Sequence, residues 1–513
     1  MLNVCKPHPD HVGYITEPVT TRPIEGVMDI TRMQNEAQTI PQLLEKYRES
    51  EALAVICGDE AVSYRQLISD ARKIASGLWN RGVRKGDRVV LAMSRSADYV
   101  RAWLGVLCAG AVQVTFHEGW PAAMKESAIQ ECRPVLTLDD ASVRALLASQ
   151  ERQDGALSSV GLRGEDPFQI VYTSGSTGTP KGVINCHLTA VSRTSASWGD
   201  PLPLCFSRHC DRLLLDCSPG FVLSSFCLCL CLLNEKTVVL ARREELRTPQ
   251  TIAECSRKNH VDTLHISPSR FLMYREDPAF AGLLRDMKLV LTGSEAISER
   301  TARLLKAAAG GETVFIYGAS ELFGPALFRF GSAYRSGEVT FSAPPSCECV
   351  LVLNEAHQPA GPGEEGELCF GGIPGRLGGY FGTQASPAFM EHPDLGRLYR
   401  TGDLAIKQAD GRFCLLGRRD SMVKLFGMRI EPAAVERAIM EYPGVRQAAV
   451  KVRGEGNEAR LWAWYSADET VEASRLRRHL SRCLPAYMVP AFFVRMDELP
   501  INQNGKLDRR ALS

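Results

Sequence analysis

The stretch FQIVYTSGSTGTPKG, from Phe168 to Gly182, joins an apolar run to a loop rich in glycine and hydroxyl side chains. The apolar run is typical of a buried strand, and the loop follows it directly. Glycine permits the backbone angles of a tight loop, while hydroxyl and exposed N–H groups suit phosphate oxygens. Lys181 adds a positive charge at the end of the loop. The stretch therefore predicts a phosphate-binding loop in an α/β protein.

This loop differs from a Walker loop, in which Ser or Thr follows a Gly-Lys pair after a fixed spacer. Here Pro180 precedes Lys181 and Gly182 follows it. A flexible polar linker is the alternative interpretation. Such a linker rarely has this composition directly after a buried strand, so the phosphate-binding hypothesis is favoured.

Strands alternate with helical patterns on both sides of the loop, which is typical of parallel sheets in α/β domains. The predicted helices include Ile40–Arg48, Tyr64–Arg81 and Ala97–Cys108. The predicted strands are Ala54–Ile56, Arg88–Ala92, Ala111–Thr115, Phe168–Tyr172, Arg212–Asp216, Thr237–Leu240, Thr263–Ile266, Lys288–Leu291 and Thr313–Tyr317. This unit has at least two α/β layers.

The pattern changes twice towards the C-terminus. From Gly337 to about Gly417, short strands separated by Gly and Pro predict a small β-barrel-like subdomain. After Arg418 the helical and strand patterns predict a compact α+β unit. We expect an N-terminal lead-in over 1–40, a large core domain over 41–418 made of two α/β subdomains and the β-barrel-like subdomain, and a small, mobile α+β lid over 419–513.

Composition excludes several classes of function. The 513 residues include 60 Lys and Arg and 59 Asp and Glu, for a net charge of +1, which is not the basic surface of a dedicated nucleic-acid binder. The longest apolar stretch, Val222–Leu233, is shorter than the ~20 residues that span a bilayer, and the N-terminus has no signal-peptide pattern. We expect a cytoplasmic protein without nucleic-acid or membrane partners.

The cysteines do not form a recognisable framework. Seventeen are scattered along the chain without the spacing of a small disulfide-rich domain, which predicts reduced thiols. Cys227, Cys229 and Cys231 form a CxCxC run in apolar surroundings. We interpret them as small buried hydrophobic residues rather than metal ligands.

Five further segments accompany the glycine-rich loop in a fixed order: Tyr317–Glu321 (YGASE), Gly366–Leu368 (GEL), Tyr399–Asp403 (YRTGD), Gly417–Asp420 (GRRD) with Val423 and Lys424, and Asn504–Arg509 (NGKLDR). Together they resemble the motifs of the adenylate-forming enzymes, which comprise acyl-CoA synthetases, luciferases and the adenylation domains of nonribosomal peptide synthetases. The resemblance extends from about Gln38 to Ser513. It implies that a carboxylic acid and MgATP give an acyl-adenylate and pyrophosphate, and that a thiol then displaces AMP.

The resemblance implies an ATP site formed by Thr173, Ser174, Gly175, Ser176, Thr177, Gly178, Lys181, Tyr317, Gly318, Ala319, Ser320, Glu321, Asp403 and Arg418. Asp403 would accept hydrogen bonds from the ribose hydroxyls, although a turn-capping Asp is the alternative. Tyr317 would stack on adenine, or be a buried core tyrosine. Glu321 would bind Mg²⁺, a hard cation that prefers oxygen ligands. Arg418 would contact ribose or phosphate.

Other implied roles concern catalysis and domain movement. Lys506, which by sequence alone would be a surface lysine, would bridge the substrate carboxylate and the α-phosphate. His187 matches a family histidine near the acyl pocket, although a structural histidine is equally compatible. Asp420 resembles the hinge, while Lys424 and Gly427 lie on the segment that resembles the wall of the thiol tunnel.

The resemblance also implies a substrate pocket formed by Val222, Leu223, Phe226, His265, Val290, Thr292, Ile316, Gly324 and Pro325. Val222 stands where most amino-acid-activating members have an Asp that pairs with the α-ammonium. An isopropyl group cannot replace that carboxylate without leaving a desolvated charge unpaired. We therefore expect a small aryl, keto, hydroxy or short acyl acid, or an acid whose amine lies elsewhere and meets His265 or a backbone carbonyl.

The C-terminal segments Leu484–Pro490 and Leu499–Leu512 look like the peptide-synthetase branch. The expected acceptor is the phosphopantetheine thiol of a carrier protein, and a separate carrier is expected because the chain contains no phosphopantetheine attachment motif. Three alternatives stay open: a ligase that uses free coenzyme A, an α-amino-acid-activating adenylation enzyme, and a catalytically silent scaffold homologue. Retention of Lys181, Glu321, Asp403, Arg418 and Lys506 argues against the last.

Overall fold

The computed structural model describes residues 39–117, 119–149, 160–173, 180–198, 200–294, 297, 299–331, 339–343, 349–371, 378–382, 386–393, 395–418, 423–425, 428–430, 432–454, 458–467, 471–500 and 511–512. The expected lead-in therefore lies almost entirely outside the described residues. In the described part of the chain, no helix is long and apolar enough to cross a membrane.

The strands, numbered along the chain, are β1 Leu53–Cys57, β2 Glu60–Ser63, β3 Arg88–Leu91, β4 Val112–Thr115, β5 Leu136–Leu138, β6 Pro167–Thr173, β7 Lys181–Cys186, β8 Arg212–Leu215, β9 Thr237–Leu240, β10 Thr263–Ile266, β11 Leu289–Thr292, β12 Glu312–Ala319, β13 Gly324–Phe330, β14 Thr340–Phe341, β15 Cys349–Leu353, β16 Glu365–Gly371, β17 Phe389–His392, β18 Gly396–Lys407, β19 Phe413–Arg418, β20 Val423–Leu425, β21 Met428–Ile430, β22 Val445–Arg453, β23 Arg460–Ala467 and β24 Phe492–Met496. The α-helices are α1 Ile40–Leu44, α2 Tyr64–Asn80, α3 Ala97–Cys108, α4 Ala122–Cys132, α5 Asp140–Ala148, α6 His187–Thr194, α7 Pro201–His209, α8 Val222–Leu232, α9 Pro249–Lys258, α10 Pro268–Tyr274, α11 Pro278–Asp286, α12 Glu299–Ala308, α13 Pro432–Met440 and α14 Ala473–Cys483.

Two largely parallel sheets form the main body. The five-stranded sheet has the order β5-β3-β4-β6-β7, and the eight-stranded sheet has the order β13-β12-β11-β10-β8-β9-β1-β2. Antiparallel strands close three of their edges, namely β7, β13 and β2. Helices cover the parallel strands on both faces, so strands such as β9 and β11 are buried throughout.

The core between the two sheets includes α8, whose residues from Ser224 to Leu232 are all buried. Cys227, Cys229 and Cys231 lie in this core, which confirms their interpretation as small hydrophobic residues. The cysteines that the structure describes are all free thiols. Helix α8 therefore forms part of the hydrophobic core.

The remaining strands form a curled antiparallel sheet and two small sheets. The curled sheet has the order β14-β19-β18-β16-β15, and β17 adds to β18. Beyond it, β20 pairs with β21, while β22, β23 and β24 form a three-stranded sheet. A separate hydrophobic cluster packs α13 and α14 against the three-stranded sheet. The predicted fold class, with a large α/β body, a small β-subdomain and a small C-terminal unit, is confirmed; the exact domain limits stay a prediction.

Candidate functional site

A cavity of about 450 Å³ opens where the carboxyl ends of the two parallel sheets meet. Residues that follow β3, β4, β8 and β11 line it, as do the last residues of β6, β10 and β12. The carboxyl ends of strands are the usual position for ligand sites in open α/β sheets. The cavity therefore lies where the fold favours binding.

The YRTGD segment forms a tight turn at one side of this cavity. Gly402 has a φ of +73°, a left-handed conformation that glycine adopts readily. Its N–H donates to Glu367 Oε1 at 3.0 Å, while Thr401 Oγ1 donates to the Leu368 carbonyl at 2.8 Å and accepts from the Asp403 N–H at 3.0 Å. These bonds hold the Asp403 carboxylate at the cavity wall.

Tyr317 does not line the cavity. Its ring is buried and stacks on Phe370, with 6.4 Å between the ring centres and 14° between their planes. Its hydroxyl donates to Asp403 Oδ2 at 2.5 Å. The ring packs in the core on the sheet face of Phe315, as the alternative interpretation has it, and its hydroxyl orients Asp403; its stack on adenine stays a prediction.

Gly318, Ala319 and Ser320 line the cavity beside Asp403, and Thr173 lines it at the end of β6. The register of β6 and β7 pairs Thr173 with Lys181, so both ends of the glycine-rich loop are held side by side. Ser174, Gly175, Ser176, Thr177 and Gly178 lie outside the described residues, and their roles stay a prediction.

Lys181 and Glu321 come together around one tyrosine. The Lys181 ammonium lies 5.4 Å from the centre of the Tyr380 ring, and the Tyr380 hydroxyl donates to Glu321 Oε1 at 2.6 Å. The Glu321 side chain is held in a short 3-10 turn, Ser320–Leu322, and is 1% exposed. The fold thus brings the predicted loop cation and the predicted acid to the same tyrosine side chain.

A magnesium ion at this site would have to take most of its ligands from a nucleotide. In the described chain, no group of three or more His, Cys, Asp or Glu side chains could hold a metal. Mg²⁺ usually retains waters and binds one or two carboxylates together with substrate phosphates. Glu321 is the carboxylate implied for this role; its side chain is buried and is not among the residues that line the cavity, so the role stays a prediction.

A buried chain of amides, which sequence reasoning missed, supports the Ser320–Leu322 turn. Gln113 Nε2 donates to Gln169 Oε1 at 2.9 Å, and Gln169 Nε2 donates to Asn185 Oδ1 at 2.7 Å. Asn185 Nδ2 then donates to the Ser320 carbonyl at 3.0 Å. The signal was visible: each amide interrupts an otherwise apolar strand, and a buried polar side chain needs a partner.

The other side of the cavity has an apolar wall. Six of the predicted pocket residues line it, namely Val222, Leu223, His265, Ile316, Gly324 and Pro325. Phe226 lies behind this wall: a Cβ on Gly324 would approach its ring to 3.1 Å. Gly324 also has a φ of +89°, so glycine is required there on both counts.

The predicted positions of Val290 and Thr292 need correction. The strand register pairs His265 with Leu291 and Ile266 with Thr292. Val290 and Thr292 therefore face the side of the sheet opposite His265, because side chains alternate along a strand. Leu291 and Gly293 share the face of His265 and Ile316, but they do not line the cavity either; from this segment Ser294 does.

Three charged side chains at the same side of the cavity were also missed. Asp216 follows β8, Arg270 lies on α10, and Arg95 follows β3, and all three line the cavity. The Arg270 guanidinium donates to the Asp216 carboxylate, and Arg95 Nη1 donates to the Asp216 carbonyl at 2.9 Å. Their separation in sequence explains why no local motif revealed them.

His187 is not part of the cavity. Its side chain is buried against Phe168, with 5.4 Å between ring centres, and its Nδ1 accepts a hydrogen bond from the Ile40 N–H at 3.4 Å. Burial lowers the pKa of His187 to about 3. The catalytic role implied by the resemblance is therefore corrected to a structural one.

The C-terminal unit contributes Met428 and Tyr487 to the cavity wall. Tyr487 contacts His117 edge to face, with 5.7 Å between ring centres. Arg418 stands opposite Asp403 in the β18–β19 ladder, and Lys424 lies on β20. Asp420, Gly427 and Lys506 lie outside the described residues, so their roles stay predictions.

Comparisons with known proteins agree with this arrangement. Residues 44–381 match the family of AMP-binding enzymes, and residues 434–506 match the AMP-binding enzyme C-terminal domain. The chain is 33% identical over 492 residues to a dimodular nonribosomal peptide synthase of Bacillus subtilis. That match covers 90% of this chain, which spans only 20% of the length of the synthase.

Two solved structures share the fold. The first is PA1221, a nonribosomal peptide synthetase protein containing adenylation and PCP domains, with a TM-score of 0.80 and 23% identity over 95% of this chain and 85% of that one. The second is the o-succinylbenzoate CoA synthetase MenE of Bacillus subtilis, with a TM-score of 0.79 and 20% identity over 93% of this chain and 98% of that one. At these identities, the two likenesses bear on the fold alone.

We predict that Asn185→Leu impairs the site more than it impairs folding. The change leaves the Ser320 carbonyl and the Gln169 amide without their partner, at a cost of about 1–3 kcal/mol. The KM for ATP should rise, or kcat fall, by about tenfold or more, as measured by pyrophosphate exchange. Asn234→Leu is the matched control, since its amide bonds the Thr194 and Leu230 carbonyls instead. Equal kinetic losses in both variants would contradict the role of the amide chain.

We predict that His187→Leu retains turnover and flattens the acid dependence of stability. The folded pKa of about 3 lies below the ordinary value of 6.5, so the unfolded chain binds a proton first as the pH falls. Wild-type stability should therefore decline from about pH 6.5 downwards, losing about 2 kcal/mol more than the variant between pH 7 and pH 5. Urea unfolding at the two pH values measures this difference. A folded variant that loses its turnover would restore the catalytic hypothesis.

Proposed function

The chain belongs to the AMP-binding enzyme family and is an AMP-forming ligase, and from this premise we propose that it activates a small carboxylic acid as an acyl-adenylate and transfers the acyl group to the phosphopantetheine thiol of a carrier protein. The observation that carries the proposal is the composition of the cavity. Asp403, Thr173 and Ser320 line one side, while Val222 and the apolar wall line the other. A nucleotide and an acid could therefore lie next to each other.

In the first half-reaction, a carboxylate oxygen attacks the α-phosphorus of ATP, the bond to the bridging oxygen breaks, and pyrophosphate leaves. Asp403 is proposed to hold the ribose, and Lys181 to neutralise phosphate charge beside the loop. Mg²⁺ bound by Glu321 and phosphate oxygens would neutralise charge on the leaving group. Lys506 is proposed to bridge the carboxylate and the α-phosphate, where negative charge develops.

In the second half-reaction, a thiolate attacks the acyl carbon, the bond to the phosphate oxygen breaks, and AMP leaves with that oxygen. The cavity must first exclude water and then admit the thiol, so its C-terminal wall has to move. Met428 and Tyr487 lie on that wall, and in the sequence both fall between the proposed hinge at Asp420 and Lys506. Gly427 and Lys424 are proposed to line the path of the thiol arm.

Two observations bear on the acceptor. The C-terminal segments resemble the peptide-synthetase branch. PA1221, which shares the fold of this chain, contains both adenylation and PCP domains. Free coenzyme A is the second candidate, since MenE, which has the same fold, is a CoA synthetase. We favour the carrier protein because the similarity in sequence, as distinct from fold, is to a nonribosomal peptide synthase.

The pocket supports an acid without an α-ammonium group. Val222 lines the cavity at the position of the expected carboxylate and has no charge with which to bind an ammonium. The cost of burying an unpaired ammonium there would be several kcal/mol. An acid with a distant amine remains the alternative.

The proposal predicts that pyrophosphate exchange responds to aryl, keto, hydroxy or short acyl acids and not to ordinary α-amino acids. With the best acid, AMP release should then require a phosphopantetheinylated carrier and proceed faster than with free coenzyme A at equal concentration. Thiol acylation followed by mass spectrometry measures both reactions. Exchange confined to α-amino acids would contradict the pocket assignment, and faster acylation of coenzyme A would contradict the acceptor.

We predict that Lys506→Ala lowers acyl-adenylate formation by a factor of about 100 or more, while the Kd for ATP stays within about threefold. The lysine is needed mainly in the transition state, and such interactions act on kcat rather than on ground-state binding. Pyrophosphate exchange and calorimetric ATP titration separate the two effects. Lys258→Ala is the control, because that side chain is exposed and forms only a surface ion pair with Asp59. Exchange at the wild-type rate in Lys506→Ala would contradict the role.

A further inference from the structure

An ion pair lies in the acid side of the cavity, where the other wall residues are mostly apolar. Asp216 and Arg270 both line the cavity and pair with each other, and their side chains are 14% and 27% exposed. The Arg270 guanidinium also lies over the Tyr274 ring, 5.6 Å from its centre. Arg95 donates to the Asp216 carbonyl at 2.9 Å and fixes the backbone at this point.

The pair has unused hydrogen-bonding capacity. A guanidinium carries five N–H donors, and within the described residues Arg270 uses its side chain for one hydrogen bond, to Asp216. The carboxylate of Asp216 retains lone pairs beyond the one that Arg270 occupies. The His265 Nε2 atom is also buried without a partner among the residues that the structure describes. Unused hydrogen-bond donors and acceptors therefore lie close together at one point of the cavity wall.

The charges of these side chains restrict which kind of substrate group could form the remaining hydrogen bonds. Asp216 and Arg270 neutralise each other, and burial lowers the pKa of His265, which keeps the imidazole neutral at pH 7. An ammonium or a carboxylate of the substrate would gain no net charge compensation from this neutral pair and would be costly to bury there. A hydroxyl group carries no charge, can donate to Asp216, and can accept from Arg270 at the same time.

We propose that the Asp216–Arg270 pair selects a carboxylic acid that carries a hydroxyl substituent, by bonding that hydroxyl as donor and acceptor. This inference rests on the proposed function and narrows its substrate class to hydroxylated acids. Sites that bond a substrate hydroxyl discriminate strongly against the analogue without it, because their buried polar groups are then left unpaired. An ion pair whose only role is to hold α10 against the end of β8 would show no such discrimination.

The test compares matched acids that differ by one hydroxyl. Benzoic acid is paired with 2-, 3- and 4-hydroxybenzoic acid, and butanoic acid with 2- and 3-hydroxybutanoic acid, in pyrophosphate exchange. The wild-type protein should favour at least one hydroxylated acid by a factor of about 100 or more in kcat/KM. Asp216→Asn and Arg270→Met should reduce that factor to about 5 or less, through loss of activity on the hydroxylated acid.

Arg412→Met is the matched control, because Arg412 pairs with Asp410 in the same way and lies outside the cavity lining. It should retain the wild-type discrimination. Equal treatment of both acids by the wild-type protein would overturn the inference and leave the proposed function standing. Variants that lose activity on both acids in equal proportion would also overturn it, since that result indicates a structural pair. A folded wild-type protein without exchange on any acid would overturn the proposed function itself.

Discussion

The hydrogen-bonded chain from Gln113 through Gln169 and Asn185 to the Ser320 carbonyl is the interaction on which the site depends. It crosses three adjacent strands of the five-stranded sheet and ends on a turn of the eight-stranded sheet. Each amide is buried, so the register of the strands is fixed by the cost of leaving an amide unpaired. The bond from Asn185 to the Ser320 carbonyl then helps to align the two sheets with each other.

This alignment determines which chemical groups meet. It places Lys181, at the start of β7, over the ring of Tyr380, whose hydroxyl bonds Glu321, although the lysine and the acid are far apart in the chain. The carboxyl ends of both sheets then enclose one cavity, with Asp403 at one side and Val222 at the other. Activation of an acid by ATP requires such proximity, since holding two reactants in position removes much of the entropic barrier.

Local patterns predicted much of the fold. The strands Thr237–Leu240 and Thr263–Ile266 and the helix Ala97–Cys108 have the predicted limits, because a short apolar run marks a buried strand and Ser96 caps the helix. The antiparallel strands β7 and β13 were missed, since their pairing depends on distant neighbours. Similarly, the predicted pocket residues Val222 and Gly324 line the cavity, whereas Val290 and Thr292 do not, because the sheet register places them on the face opposite His265. The Asp216–Arg270 pair required the folded chain.

The proposed chemistry is defined by one step, the attack of a substrate carboxylate oxygen on the α-phosphorus of ATP in this cavity. The most direct measurement uses an acid labelled with ¹⁸O in both carboxylate oxygens, followed by mass spectrometry of the nucleotide after complete acyl transfer. If the account is correct, each turnover gives AMP that carries one ¹⁸O atom, together with unlabelled pyrophosphate. Unlabelled AMP, or label found in inorganic phosphate with ADP as the nucleotide product, would contradict it.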